Sequence, residues 1–343
     1  MKSEATTRRE FVRDTAAAAA GMAIGLSGVA GRAAAADDQG ARSGKAVDTS
    51  KIRNYHPNME YRRLGKTEQM LSAIGLGGHA HSPDPERRAV VDRCLEIGIN
   101  YIDSTGNGEL LRDIKALGSR RDKVYLALSE TGKEPRNPDF RTAGKLLGTL
   151  DEALKGAKLE YTDLWRITVY EPGGRHTFDT CCEVMEALSK AKQQGKARFI
   201  GISSHDRRWF KMMIEQFPQL EVVLFPFTTM SKAAPKDGLF AALKKCDVGA
   251  LGIKPFAGGS LFSGDKEEDL RRSRLALRYI LHSNTVLPIP GLNNAAEVDN
   301  VARAMAERRE LDKHEKADLE RISGRMWAAL PARYEWLRDW QYV

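Results

Sequence analysis

The side chains of this chain that could do chemistry gather where short apolar runs end. Asp103 closes Asn100-Tyr-Ile-Asp103, and a carboxylate there can hold a cation or move a proton. Tyr101 shares its strand face, and Tyr170 ends a later run, but an inward tyrosine is ordinary core and a loop tyrosine ordinary packing. His79 and His81 form a His-x-His pair which, with His205-Asp206 and Glu171, offers imidazole and carboxylate donors for a hydrolytic metal. The plainer alternative is a polar rim that meets solvent or a sugar-like ligand. Lys254-Pro-Phe-Ala-Gly-Gly-Ser-Leu261 is a glycine-rich loop in which Gly258 and Gly259 let backbone approach a ligand closely. Cys94, Cys181, Cys182 and Cys246 form no CxxC pair, and adjacent cysteines on a helix diverge, so neither a zinc clip nor an iron–sulfur cluster is expected.

The elements that must position these residues alternate. From Met59 onward, short apolar strands are separated by longer helical patterns, the signature of βαβ units and a parallel sheet. Met59–Gly65 and Met70–Gly77 read as an N-terminal hairpin strand followed by barrel strand 1. Further strands are expected at Asn100–Asp103, Val124–Leu128, Asp163–Val169, Arg198–Ile202, Val222–Phe225, Gly249–Ile253 and Val286–Ile289. Eight strand–helix units close one (β/α)8 TIM barrel, which needs roughly 250 residues. The expected α/β fold is that barrel over 59–310, with an N-terminal β-hairpin and a C-terminal helical extension over 311–343. The extension combines a helix near Lys313–Ala329 with Trp327, Tyr334, Trp336, Trp340 and Tyr342, and so many aromatics are expected to pack over the barrel.

Thr7-Arg8-Arg9-Glu10-Phe11-Val12-Arg13 resembles the twin-arginine motif of bacterial export signals, with an Ala/Gly-rich stretch from Thr15 to Gly31 and small residues Ala33–Ala36 behind it. That implies a signal over 1–36, a polar linker over 37–58, the twin-arginine export machinery as partner, and a periplasmic or extracellular destination. The apolar stretch is too weak for a stable membrane span, which takes about 20 strongly apolar residues. Net charge is +8 and falls to +6 without the first 36 residues, which carry five basic and three acidic side chains. No run of like charges stands out, so nucleic-acid binding is not expected.

Several landmarks occur in the order known from one family. Tyr61-Arg-Arg-Leu-Gly-Lys-Thr67, Ile74-Gly-Leu-Gly-Gly78, Gly195-Lys-Ala-Arg-Phe-Ile-Gly-Ile-Ser203 and Leu287-Pro-Ile-Pro-Gly291 resemble the aldo-keto reductase superfamily, NAD(P)-linked carbonyl and alcohol oxidoreductases. In that family a tyrosine protonates the carbonyl oxygen, a lysine paired with an aspartate lowers the tyrosine pKa, and a histidine orients the carbonyl. By this resemblance Asp103 is the aspartate, while Gly108, Ser129 and Thr168 stand at the tyrosine, lysine and histidine positions. The loop that carries the tyrosine is shortened between Ser104 and Leu110. Asp103 is thus left without an evident cation, and ordinary carbonyl reduction is expected to be altered or lost.

The same resemblance implies a cofactor shelf of Ser203, Ser204, Phe227, Lys254, Gly258, Gly259, Gly291, Glu297 and Asn300 for a dinucleotide. Leu292–Val301 has no Arg or Lys to clasp a 2′-phosphate, so loss of NADP preference follows more easily than its retention. The alternatives are an exported barrel binding a small, sugar-like molecule at its mouth, or a metal-site barrel using His79, His81 and His205.

Overall fold

The computed structural model describes residues 48–78, 83–170, 177–232, 238–284 and 286–341. The expected signal over 1–36, and His79, His81 and Glu171, lie outside the described residues. Strands β1 (Tyr61–Arg63) and β2 (Met70–Ser72) form an antiparallel hairpin. Its Gly65 turn lies against the Asp247–Gly249 backbone, at the N-terminal end of the barrel.

Seven parallel strands follow in sequential order: β3 (Tyr101–Thr105), β4 (Tyr125–Ser129), β5 (Thr162–Tyr170), β6 (Ala197–Ser204), β7 (Val222–Pro226), β8 (Gly249–Ile253) and β9 (Leu287–Pro288). Residues 74–77 bridge the two edges. The Leu76 and Asp103 N–H groups exchange bonds with Tyr101 and Leu76 carbonyls, while Gly75 and Gly77 donate to the Pro288 and Pro290 carbonyls. The ring is closed by this eighth stave. It is shorter than the expected Met70–Gly77 strand, because Met70–Ser72 belongs to the hairpin. There the Asn100 side chain receives the Ser72 N–H and donates to the Met70 carbonyl, ending the ladder before the barrel begins.

Helices α1 (Asp84–Glu96), α2 (Asn107–Leu117), α3 (Ala143–Ala157), α4 (Phe178–Gln193), α5 (Arg207–Gln216), α6 (Leu239–Cys246), α7 (Lys266–His282) and α8 (Ala295–Ala306) separate the strands. Thr142, Thr177, Asp206, Asp265 and Asn294 cap five of them through their side chains, each worth about 1 kcal/mol. No described helix is long and apolar enough to cross a membrane.

Both extensions are folded onto the barrel. Residues 48–58, the end of the expected linker, pack at its N-terminal end, where Arg53 donates to the Asp163 carboxylate and Asn54 to the Leu95 and Ile99 carbonyls. Helix α9 (Lys313–Ala328) starts with an Asp312/Glu315 capping box and leads into a 3-10 segment, Ala332–Trp340. Trp340 is fully buried, stacked on Phe225 with centroids 5.6 Å apart, and its Nε1–H donates to the His205 carbonyl.

Candidate functional site

Strand alternation turns Leu164, Arg166 and Thr168 of β5 to one face, so β5 sends a guanidinium toward the mouth. Arg166 is buried and binds the buried Asp103 of β3 through two parallel bonds, Nε to Oδ1 at 3.0 Å and Nη2 to Oδ2 at 2.9 Å. Nη2 also reaches the Thr105 hydroxyl at 3.1 Å, and Nη1 lies 3.4 Å from the Thr168 hydroxyl. Burial opposes a charge on Arg166, but Asp103 outweighs it and holds the guanidinium above its ordinary pKa. The expectation that Asp103 lacks a cation is therefore corrected. Its cation is Arg166, two residues before the histidine position, and not a lysine at the end of β4.

A second buried carboxylate comes from the loop after β4. Ser129, at the lysine position, donates its hydroxyl to Glu134 Oε1 at 2.9 Å, and Glu134 Oε2 is buried without a hydrogen-bond partner. Burial pushes the Glu134 carboxyl up to about 7, against the pull of Arg166 and the Ser129 hydroxyl. Tyr101 is also buried and its hydroxyl has no hydrogen-bond partner; burial first, then Asp103, drives its pKa well above the ordinary phenol value. Its ring lies against Gly75, away from the mouth.

The shortened loop is visible as geometry. β3 passes into α2 through one residue, Gly106, at φ +107°. Gly108 falls in the first turn of α2, with open space around it. The α2 N-terminus is held by Glu130, which accepts the Asn107 N–H at 2.8 Å, a favourable place for a carboxylate.

Above Arg166 opens a pocket of about 530 Å³ at the C-terminal ends of the strands, within the range of small-molecule sites. Its floor is Asp103, Thr105, Arg166 and Thr168. Ser203 and His205 form one wall, and Ile253–Phe256 with Gly258, Gly259 and Phe262 another; Gly78, Ile289, Gly291, Asn293, Thr131 and Arg136 complete it. Of the expected cofactor residues, Ser203, Lys254, Gly258, Gly259 and Gly291 line this pocket. Four others do not. The Ser204 hydroxyl accepts the Asp206 N–H, and Phe227 is buried with its ring stacked on Phe240 at 5.9 Å. Glu297 is bonded by Asn293 and Asn294 at the start of α8, and Asn300 ties α8 to Arg274, Ser273 and Leu270 of α7.

The C-terminal segment backs the mouth. Trp336 stacks on the His205 ring with centroids 3.7 Å apart, and the Tyr334 ring lies behind Gly258. No cluster of three metal-binding side chains occurs among the described residues. Sequence reasoning missed Arg166 and Glu134. An arginine at an inward strand position was a usable signal for the first.

A closed parallel barrel with a polar mouth at the C-terminal ends of its strands is a (β/α)8-type scaffold, whose sites lie at that end. The aldo/keto reductase family model matches residues 73–273, more than half of the sequence, and the chain belongs to that family. It is 27% identical over 230 residues to L-glyceraldehyde 3-phosphate reductase of Escherichia coli (strain K12), covering 59% of this chain and 63% of the relative's length. It is 25% identical over 287 residues to L-galactose dehydrogenase of Arabidopsis thaliana, covering 73% of this chain and 89% of the relative. Among solved structures, the holo form of an aldo-keto reductase from Bacillus halodurans superposes with a TM-score of 0.62 at 21% identity, over 77% of this chain and 96% of that one. An aldo-keto reductase from Klebsiella pneumoniae in complex with NADPH gives a TM-score of 0.62 at 19% identity, over 77% and 95% of the two chains.

Proposed function

We propose that this family member binds a small polar ligand at its barrel mouth and does not run ordinary carbonyl reduction there. The observation that carries this reading is the Arg166–Asp103 pair, closed on itself in a mouth whose described lining contains no tyrosine, and no lysine at the end of β4. A carbonyl that accepts hydride must also receive a proton. Threonine and serine hydroxyls are poor acids, and a guanidinium does not release its proton. Losing one acid–base group costs about 10²–10⁴ in rate, and here the tyrosine, lysine and histidine are all replaced.

The family's nicotinamide dinucleotide fits only in part. Lys254, Gly258 and Gly259 suit a phosphate-bearing group. Phe227 is buried and packed on Phe240, however, Asn300 is buried and bonded to α7, and Glu297 is bonded by Asn293 and Asn294 at the exposed start of α8, so none of the three lines the mouth. No hydride step is assigned. The names of the two relatives, a reductase of L-glyceraldehyde 3-phosphate and a dehydrogenase of L-galactose, support a sugar-like ligand. The twin-arginine motif at Arg8-Arg9 supports action outside the cytoplasm, which fractionation of an Arg8→Lys/Arg9→Lys variant tests.

The test is consumption of NADH and NADPH by the purified full chain with a panel of aldehydes and sugars. No turnover above the protein-free blank is expected. Turnover within about 10²-fold of a relative that keeps all four catalytic residues would overturn the reading.

A further inference from the structure

The loop after β4 joins the mouth to a buried acid. Thr131 and Arg136 of this loop line the pocket, and between them Glu134 turns inward and is buried. Of residues 130–137 only Glu134 and Pro135 are buried, so little apolar contact holds the loop to the barrel. Several of its hydrogen bonds close on the loop itself: the Lys133 N–H donates to the Glu130 carbonyl, the Asn137 N–H to the Glu134 carbonyl and Arg136 Nε to the Thr131 carbonyl. Outward, Lys133 pairs with Glu152 of α3 at an exposed position, Glu130 accepts the Asn107 N–H, and Arg141 donates to the Pro135 carbonyl. Glu134 adds a buried anchor, accepting the Ser129 hydroxyl at 2.9 Å.

That anchor is sensitive to its proton. Glu134 Oε2 is buried with no hydrogen-bond partner, and an ionised carboxylate with a bare buried oxygen is costly. The charged groups that face it are Arg166 of β5, whose guanidinium already binds Asp103 of β3 through two bonds, and Arg136 of its own loop. Burial outweighs these cations and the Ser129 hydroxyl, and the carboxyl titrates at about 7 while the loop is closed. With the loop open the same group meets water and ionises near its ordinary 4.5. The closed loop thus binds the proton more tightly than the open one. Closure is fully supported below about pH 4.5, weakens as pH rises through about 7, and is level above.

We propose that the loop 130–137 is a pH-sensitive latch on the barrel mouth. Neutral Glu134 holds it shut against Ser129, and loss of that proton loosens it and draws Thr131 and Arg136 away from the lining. The latch goes beyond the reading of the mouth as a binding site, since it works the same whether the mouth binds a ligand or runs a reaction.

Hydrogen exchange of the purified full chain, read on peptides spanning 130–137, tests this against Glu134→Gln, which keeps the side chain's shape and cannot ionise. The ratio of parent to variant at each pH removes the intrinsic effect of pH on exchange. That ratio is expected to rise about 10-fold from pH 6 to pH 8, while peptides from β3, β5 and α3 stay level. Ser129→Ala removes a donor that favours the ionised form, and is expected to make the loop's rise larger than the parent's. Should Glu134→Gln not fold, the parent's own rise after correction for intrinsic exchange, and its enlargement in Ser129→Ala, decide the matter.

A flat ratio, a rise of equal size in every barrel peptide, or a smaller rise in Ser129→Ala would each overturn the latch. No ligand or cofactor enters these measurements, so their failure leaves the binding reading of the mouth intact. Turnover of aldehydes with NADPH would in turn sink that reading and leave the latch standing.

Discussion

Arg166 grips Asp103 with two parallel N–H···O bonds on the floor of the mouth, each partner nearly shut off from solvent. In the family this chain belongs to, the matching aspartate steadies a lysine that tunes a tyrosine. Here the guanidinium comes from inside β5, and Ser129 at the end of β4 is bonded to Glu134. The floor is a closed pair of opposite charges, tied to the Thr105 hydroxyl through Arg166 Nη2.

Breaking that pair from one side is expected to be costly. Arg166→Met leaves a buried carboxylate without its cation, a loss of about 3–5 kcal/mol. Adding Asp103→Asn removes the stranded charge and should recover most of that loss. Urea unfolding of the two single variants and the double closes the cycle, and strictly additive effects would mean the two side chains do not act as a unit.

Glu134 sets a pH dependence of known sign. Burial raises its folded pKa from 4.5 to about 7, so the folded state holds the proton more tightly than the unfolded chain. Its cost to stability is absent below about pH 4.5, grows as pH rises through about 7, and is level above. Glu134→Gln should therefore be more stable than the parent at pH 8, by roughly 3 kcal/mol, and nearly match it at pH 4.5. Glu268 and Glu315, lowered to about 2 mainly by bonds from Arg271 and Arg278, titrate well below that window. Thermal melts across pH 4.5–8 would count against this account if the variant's advantage did not grow with pH.

The barrel was legible because each strand is a short apolar run set between longer helical patterns, and five of the eight barrel helices carry a start signal, such as Thr142, Thr177 or Asp265. Ser129 and Thr168 could be placed near strand ends from the apolar runs that precede them, and Gly108 just beyond another. Arg166 was within reach too. The spacing Leu164, Arg166, Thr168 places a charge on an inward face, where a buried partner is obligatory, and Asp103 was the inward acid at hand. Glu134 was not legible. It is one of two glutamates in a polar loop, Glu130-Thr-Gly-Lys-Glu134, and only the tertiary fold buries one and leaves its neighbour at the start of α2. The packing of Phe227 on Phe240 was likewise invisible, since a phenyl ring reads the same whether it faces a ligand or the core.

Gly258 is held from two sides. Its φ of +65° is left-handed, and a Cβ there would come within 2.3 Å of the Tyr334 ring. Gly258→Ala should lose about 1–2 kcal/mol from the backbone alone, with the displaced ring adding to it. In a Tyr334→Ala background only the backbone part should remain. A cycle by chemical denaturation reads the difference, and an equal loss in both backgrounds would show that the ring does not press on this glycine.

The C-terminal segment makes two separable contributions. Trp340 is a core residue, fully buried between Phe225 and Phe210, so Trp340→Ala should cost about 3–5 kcal/mol and lower the melting temperature of the whole barrel. Trp340→Phe keeps most of the packing but leaves the His205 carbonyl without its 2.9 Å donor, a loss of about 1 kcal/mol. Trp336 is only half-buried and meets the mouth through the His205 ring. Trp336→Ala is therefore expected to leave the melt nearly unchanged while altering the fluorescence response to ligands. If Trp336→Ala instead lowered the melt as far as Trp340→Ala does, the segment would be one structural clamp with no distinct part at the mouth.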